Sequence, residues 1–301
     1  MFSAFFKLHL SVLLAGFTGL FGRLISLDAF LLVYFRIVVA YVGLFLILRV
    51  TQKIQKISGK DKLIAMILGC LMMAQLITFY LAIKVSNVSI GTITVSCICF
   101  FTALLEPFIN RHRFSITDIG YSLLTMLGLL LIFHFDTKFR LGIFIGLIAS
   151  LLSALYTIYN KKYSAGRDIP TMLYWEFAGG LMFLSVLFVP YLFFFGTDGL
   201  YFRGSDVFWL IMAGLFCTAL MYLLQIEVLQ KLSAFTVMLA YNFEPVYSII
   251  LAMIIFDEGK ELNFSFYAGI SLIVISVWLQ TSKTLYLEKK GKRLKKLNKD
   301  A

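Results

Sequence analysis

Charge is scarce in this chain. Only 14% of its 301 residues are Asp, Glu, Lys or Arg, where a soluble domain carries about 25%. Proline is nearly absent, with 4 residues, so each one marks a place where a helix is weakened or ends. The 4 cysteines, Cys70, Cys97, Cys99 and Cys217, all lie inside apolar runs and form neither a disulfide framework nor a zinc pattern. The 3 histidines, His9, His112 and His134, are scattered, with no His-x-x-His, Asp-rich metal motif or Gly-x-Ser-x-Gly. The sequence therefore predicts no enzyme, no bound metal and no cofactor. It holds no nucleotide-binding motif, which argues against direct drive by ATP. No small-residue cleavage site follows a short apolar core at the N-terminus, so the first span is expected to stay in the mature protein.

What fills the chain is apolar residues: 60% of the total, with a mean hydropathy of +0.91. A spanning helix needs about 20 of them. Ten apolar segments can be read, at 8–26, 30–49, 63–83, 87–109, 117–134, 141–160, 171–195, 206–228, 233–256 and 264–281. The predicted fold is an all-α integral membrane protein of ten transmembrane helices. Its basic residues are unevenly placed. With the N-terminus inside, 20 of the 27 Lys and Arg fall on the inner side and six on the outer: Arg23, Lys84, Lys138, Arg140, Arg203 and Lys260. Arg36 alone lies within a span. This bias predicts that both termini are cytoplasmic. Eight of the basic residues sit in the tail after the last span, where they suit anionic lipid rather than nucleic acid.

The chain is organised around Phe235–Glu258, an apolar stretch with Asn242-Phe243-Glu244-Pro245 in its middle. A carboxylate at mid-membrane depth is costly and is by default a functional candidate. Pro245 removes a backbone donor and weakens the helix there. An offset of 146 residues brings CFFTALLEPFINRH onto PVYSIILAMIIFDE, with Pro245 on Cys99 and Glu258 on His112. Pairing Glu106-Pro107 with Glu244-Pro245 is the alternative register. With five helices per copy, the second copy must insert upside down, so the chain is expected to hold two inverted five-helix repeats, 1–138 and 139–282, and a basic tail, 283–301. Inverted repeats are a transporter signature.

With these features the chain resembles the EamA branch of the drug/metabolite transporter superfamily over nearly all its length. The resemblance rests on Arg36 in YFRIVVAYVGLF, Tyr80-Leu81-Ala82-Ile83, FTALL at Phe101–Leu105, the segment Leu141–Lys162, and Glu244-Pro245 with Asp257-Glu258. Cys99, His112 and Asp257 depart from the family pattern of proline and Gly-Glu at the ends of the gating helices. The resemblance implies a secondary transporter of the bacterial inner membrane. It implies export of amino acids or related small metabolites by alternating access, through a cavity between the halves. A carrier of lipid-linked or nucleotide-sugar substrates is the alternative.

Seven residues are candidates for substrate binding: Arg36, Gln75, Tyr80, Trp175, Glu176, Asn242 and Glu244. Arg36 could clamp a carboxylate through its guanidinium fork, or serve in a structural pair; both readings stay open. Offset by 140, Tyr34-Phe35-Arg36 falls on Tyr174-Trp175-Glu176, which sets opposite charges at matched positions. Inversion sets the two at similar depths from opposite faces, roughly 12 Å apart along the normal of a ~30 Å core, so a permanent salt bridge between them is not expected. Glu244 is suited to taking and releasing a coupling proton. Gln75 and Asn242 suit a substrate amine or carboxylate, or an interhelical hydrogen bond. Glu227 is expected to pair with Lys231, four residues on. The glycines of Gly16-x-x-Gly19-x-x-Gly22, Gly142-x-x-x-Gly146 and Gly179-Gly180 allow close helix contact, either within the chain or in a homodimer.

Overall fold

The structure is a computed structural model. It describes residues 2–51, 55–95, 97–111, 137–196, 200–241 and 243–257, with scattered residues between 119 and 128 and between 264 and 282. The expected spans at 117–134 and 264–281 are described only at those scattered residues, and the tail at 283–301 falls outside the described residues.

The described residues are helical. Helix α1 is Phe2–Leu24, α2 Ala29–Val50, α3 Gly59–Val85, α4 Val88–Val95 and α5 Ile98–Asn110. After a single 3₁₀ turn, Thr137–Phe139, come α6 Arg140–Ser164 and α7 Ile169–Phe195. A long helix follows in three parts: α8 Gly204–Gly214, a π-helical turn Leu215–Leu220, and α9 Met221–Leu229. Then come α10 Ala234–Tyr241 and α11 Glu244–Phe256. Seven stretches are long and apolar enough to cross a bilayer. Helices α4 and α5 together make one of them, Val88–Asn110.

Polar residues set where these helices start. Asp28 accepts from the backbone amides of Phe30 (2.8 Å) and Leu31 (3.0 Å) and caps α2. Ser58 caps α3. Asp168 caps α7, whose second residue, Pro170, gives up a donor that no helix could use there. Asp206, fully buried, accepts from the Ser26 amide (3.0 Å), the Ser26 hydroxyl (2.6 Å) and the Arg203 amide (2.8 Å). It thereby ties the start of α8 to the turn between α1 and α2.

The two halves repeat one plan. An offset of 146 carries α4 onto α10 and α5 onto α11 with both ends of each helix in register. Both α5 and α11 end on a residue in the left-handed region, Arg111 (φ 55°) and Asp257 (φ 59°). The break within each pair also matches. The Cys97 amide bonds the Thr94 carbonyl (3.0 Å), as the Phe243 amide bonds the Ala240 carbonyl (3.1 Å). The Phe101 amide then bonds Cys97 (3.1 Å), as Tyr247 bonds Phe243 (3.2 Å). This corrects the sequence reading that made Pro245 the cause of the weakness. Cys99, which keeps its amide proton, occupies the equivalent place in a helix that breaks in the same way. Pro245 sits in the first turn of α11, where a missing donor costs little.

Helix packing follows the repeat as well. Helix α3 packs on α6 and α7, while its counterpart, α8 to α9, packs on α1 and α2. Helices α4 and α5 lie against α6, and α10 and α11 lie against α1. Two glycines allow α3 and α8 to approach the helices that carry the intramembrane charges. A Cβ on Gly69 of α3 would sit 1.8 Å from the Glu176 carbonyl oxygen of α7. A Cβ on Gly214 of α8 would sit 2.7 Å from the Val39 side chain and 2.9 Å from the Arg36 carbonyl oxygen of α2. In each half, a glycine rests on the backbone of the residue that carries the intramembrane charge. The Gly16, Gly19 and Gly22 stripe of α1 is likewise filled from within the chain, by Tyr247, Thr92 and Ile83.

Candidate functional site

Arg36 projects from the middle of α2 and is 1% exposed. Each of its three nitrogens has a partner. Nε donates to the Thr218 hydroxyl, Nη1 to the Tyr80 hydroxyl and Nη2 to the Cys217 carbonyl. Its guanidinium lies 5.5 Å from the Tyr80 ring centroid, and the Tyr80 hydroxyl donates onward to the Thr18 carbonyl (3.1 Å). The π turn explains why Cys217 and Thr218 can serve. Widening the helix by one residue disturbs the regular carbonyl-to-amide pairing, and here the Cys217 carbonyl meets a guanidinium. Thr218 donates its hydroxyl proton to the Ala213 carbonyl (2.8 Å), five residues back, and so presents a lone pair to Arg36. Among the described residues no carboxylate forms a salt bridge with Arg36.

Arg36 lines a cavity of about 50 Å³ between the two halves. Gln75 of α3 and Glu244 of α11 also line it. Glu244 is 6% exposed, and among the described residues none hydrogen-bonds its carboxylate. It stands within electrostatic reach of Arg36. The cavity thus has on one wall a cation hydrogen-bonded through each of its nitrogens, and on another a carboxylate to which no described residue donates. Gln75 Oε1 accepts from the Tyr222 hydroxyl (3.3 Å).

Glu176, fully buried in α7, lies behind this wall. Its carboxylate accepts from the Tyr156 hydroxyl (2.8 Å) and from Asn160 Nδ2 (2.8 Å), both in α6. Tyr156 does line the cavity and meets Tyr222 edge-on at 5.7 Å. Glu176 therefore reaches the cavity through Tyr156, and among the described residues it forms no ion pair with Arg36. Tyr80 also stands behind the wall and acts on Arg36. Trp175 points elsewhere: half-buried, it lies under the Lys62 ammonium at 4.8 Å. Asn242 falls outside the described residues. Glu227 does not use Lys231; it pairs with Lys7 of α1, which reaches it across the interface between the halves.

Sequence reasoning missed Ser150, Ser153 and Tyr156 of α6 and Gln225 of α9, all of which line the cavity. Gln225 is 5% exposed and its Oε1 has no partner. For the α6 residues a signal was present. Ser150, Ser153, Tyr156, Thr157 and Asn160 recur at helical spacing and draw a polar stripe along an otherwise apolar span. For Gln225 there was none, since a single glutamine in LLQIEVLQ shows no face.

Two halves built on one plan, spans enough for a multi-pass membrane protein and a polar cavity between the halves define the class: an integral membrane transporter with an internal repeat. The chain belongs to the EamA-like transporter family, whose model matches residues 3–134 and 140–282. Of solved structures, 25 chains match it. One crystal structure is similar with a TM-score of 0.69 and 12% identity, covering 95% of this chain and 99% of its own. At that identity the likeness is one of fold. No curated protein matches the chain.

Proposed function

We propose that the protein is a secondary carrier that exports amino acids or related small metabolites, by alternating access through the Arg36–Glu244 cavity. The observation that carries this reading is the pairing of unlike groups on one small internal space. Arg36 is held rigid by neutral partners, so its charge is preorganised for an anionic group. Glu244, to which no described residue donates a hydrogen bond, is suited to a substrate ammonium or a coupling proton. A zwitterion matches both. Neutral hydrogen-bonding groups from Gln75, Tyr222 and Gln225 complete the set.

The size of the cavity supports alternation. About 50 Å³ holds roughly three waters, whereas sites for small molecules run to about 300 Å³ or more. A metabolite enters only if the halves separate. In this reading the repeats are inverted, divide near residues 138 and 139, and rock about α1–α9 and α3–α6. The protein lies in a bacterial inner membrane with both termini cytoplasmic. A homodimer is compatible with it, although the glycine stripe of α1 is already in use. A single guanidinium favours an amino acid over a nucleotide sugar, whose phosphates ask for several cations in the same cavity.

Counterflow in proteoliposomes loaded with a panel of amino acids and nucleotide sugars tests the reading. Saturable exchange of an amino acid, reduced at least tenfold in Arg36→Ala, is the expected result. Lipid movement with no solute exchange would transfer the assignment to a lipid-linked substrate.

A further inference from the structure

A second cavity lies at the C-terminal ends of α1 and α3 and shares no residue with the first. Its volume is about 380 Å³, and it is lined by Gly22 and Arg23 of α1, Ile83 and Lys84 of α3, Ser86 and Asn87 in the turn before α4, and Lys138 before α6. Three cations thus surround one space. The six basic residues assigned above to the outer side contribute three of their number to it. Basic residues on that side work against insertion, and like charges gathered in one place repel. An arrangement with both costs needs an anion to offset them.

Asn87 shows that the site is built rather than a chance grouping of surface charge. It is 4% exposed. Its Oδ1 accepts from the Ile90 amide (2.8 Å) and its carbonyl from the Gly91 amide (3.0 Å), which caps α4 and fixes the side chain. Among the described residues its Nδ2 is buried without a partner. A buried donor left unmade is costly, and Asn87 is one of the residues that line a space ringed by cations. Lys84 spends one proton on the Ile25 carbonyl (2.7 Å) and keeps two. Lys138 is exposed, with its ammonium 5.2 Å from the Phe139 ring. Arg23 lies over the Phe256 ring at 5.0 Å and has a further contact of its own, so its part is charge alone. Asp28 and Asp206 are within electrostatic reach of Lys84. Both carboxylates are already committed: Asp28 to the start of α2 and to Tyr191, Asp206 to Ser26 and Arg203.

Backbone fit keeps the cavity walls in place. A Cβ on Gly22 would stand 2.9 Å from Ile83, and one on Gly142 of α6 2.5 Å from the Ser86 hydroxyl. The turn at Ser86-Asn87 is therefore pinned between α1 and α6.

We propose that this cavity binds a phosphate-class oxyanion, held by Lys84, Lys138 and the Asn87 amide, with Arg23 adding charge. A tetrahedral, doubly charged group matches three cations and an amide donor better than a single carboxylate does. The group can be a free phosphate or phosphate ester, or the headgroup of an anionic phospholipid. The site stands independently of what the Arg36 cavity carries.

The purified protein in neutral detergent provides the test. Its melting temperature is followed against inorganic phosphate at constant ionic strength set with chloride, for the wild type, Lys138→Gln, Asn87→Leu and a control, Lys56→Gln. The expected result is a saturable rise in the wild type and the control, with the midpoint moved at least tenfold in Lys138→Gln. Lys138 is exposed, so its replacement leaves folding intact even where Asn87→Leu does not. The same variants are then compared in nanodiscs of phosphatidylcholine with and without phosphatidylglycerol. Loss of the phosphate response in the anionic discs assigns the site to a headgroup; its persistence assigns it to a free phosphate. A Lys138-dependent rise with phosphatidylglycerol alone also supports the headgroup. No saturable response to either probe, or an equal response in Lys138→Gln, overturns the proposal.

Discussion

Arg36 owes its place to shape as much as to charge. Two helical segments receive its three donating nitrogens: the π turn through Thr218 and the Cys217 carbonyl, and α3 through Tyr80. A lysine would keep the charge and lose the fork, and its compact ammonium could reach at most part of that set. Hydrogen bonds to a charged group contribute about 1.5–3 kcal/mol each, so two lost bonds exceed the stabilisation that a retained charge provides. Arg36→Lys is expected to lower the melting temperature and to raise the half-saturation constant for counterflow at least tenfold, as measured by substrate titration in proteoliposomes. An unchanged constant with a lowered melting temperature would make Arg36 a structural residue. Glu244 presents the opposite case, a carboxylate that no described residue satisfies. At this scale the sequence was informative about which ionisable residues lie in spans, because each stands alone in an apolar run. It was silent on Tyr156 and Gln225, whose roles depend on what faces them across a helix interface.

Among the elements, the broken pairs α4–α5 and α10–α11 carry the clearest lesson. The same 3₁₀-like turn interrupts both, at Thr94–Cys97 and at Ala240–Phe243, although only the second has a proline after it. The break is thus set by the fold around it, and Pro245 occupies a position that tolerates proline. Pro245→Ala is expected to change stability by under about 1 kcal/mol, because the alanine amide would enter the first turn of α11, whose donors have no intrahelical partner in any case. Thermal unfolding in detergent measures this, and a large stabilisation with loss of transport would show that the proline does hold the helix open. The π turn at Leu215–Leu220 is the other element that decides the site. It brings Cys217 and Thr218 to Arg36, and nothing in LFCTAL announces it. A π turn depends on the packing of Gly214 against α2, which is a property of two helices rather than of one segment.

At the scale of the whole molecule, the repeat and the charge bias make a joint prediction about topology. That topology predicts Tyr201, 80% exposed between α7 and α8, on the outer side, and Lys56, exposed between α2 and α3, on the inner. Tyr201→Cys is expected to react with an impermeant maleimide in intact cells, and Lys56→Cys only after the membrane is opened. Equal labelling of both, or the reverse pattern, would contradict the inverted arrangement. Of the four native cysteines, Cys97, Cys99 and Cys217 are buried and Cys70 lies half-buried in α3, so the background is low.

The sequence by itself determined that this is a helical membrane protein with an internal repeat, because the bilayer admits few solutions: apolar runs of sufficient length must be helices, and cations avoid one side. It also singled out Arg36, Glu176 and Glu244, since isolated charge in an apolar run is costly and therefore visible. Only the tertiary structure decided what those charges meet. Arg36 and Glu244 share a cavity, whereas Glu176 is withdrawn behind Tyr156 and Asn160. Lys84, Lys138 and Asn87, apart in sequence, close around one space. Such outcomes depend on which helix faces lie opposite one another. Close backbone contacts at Gly69, Gly142 and Gly214 set those faces, and no single segment specifies both sides of a contact.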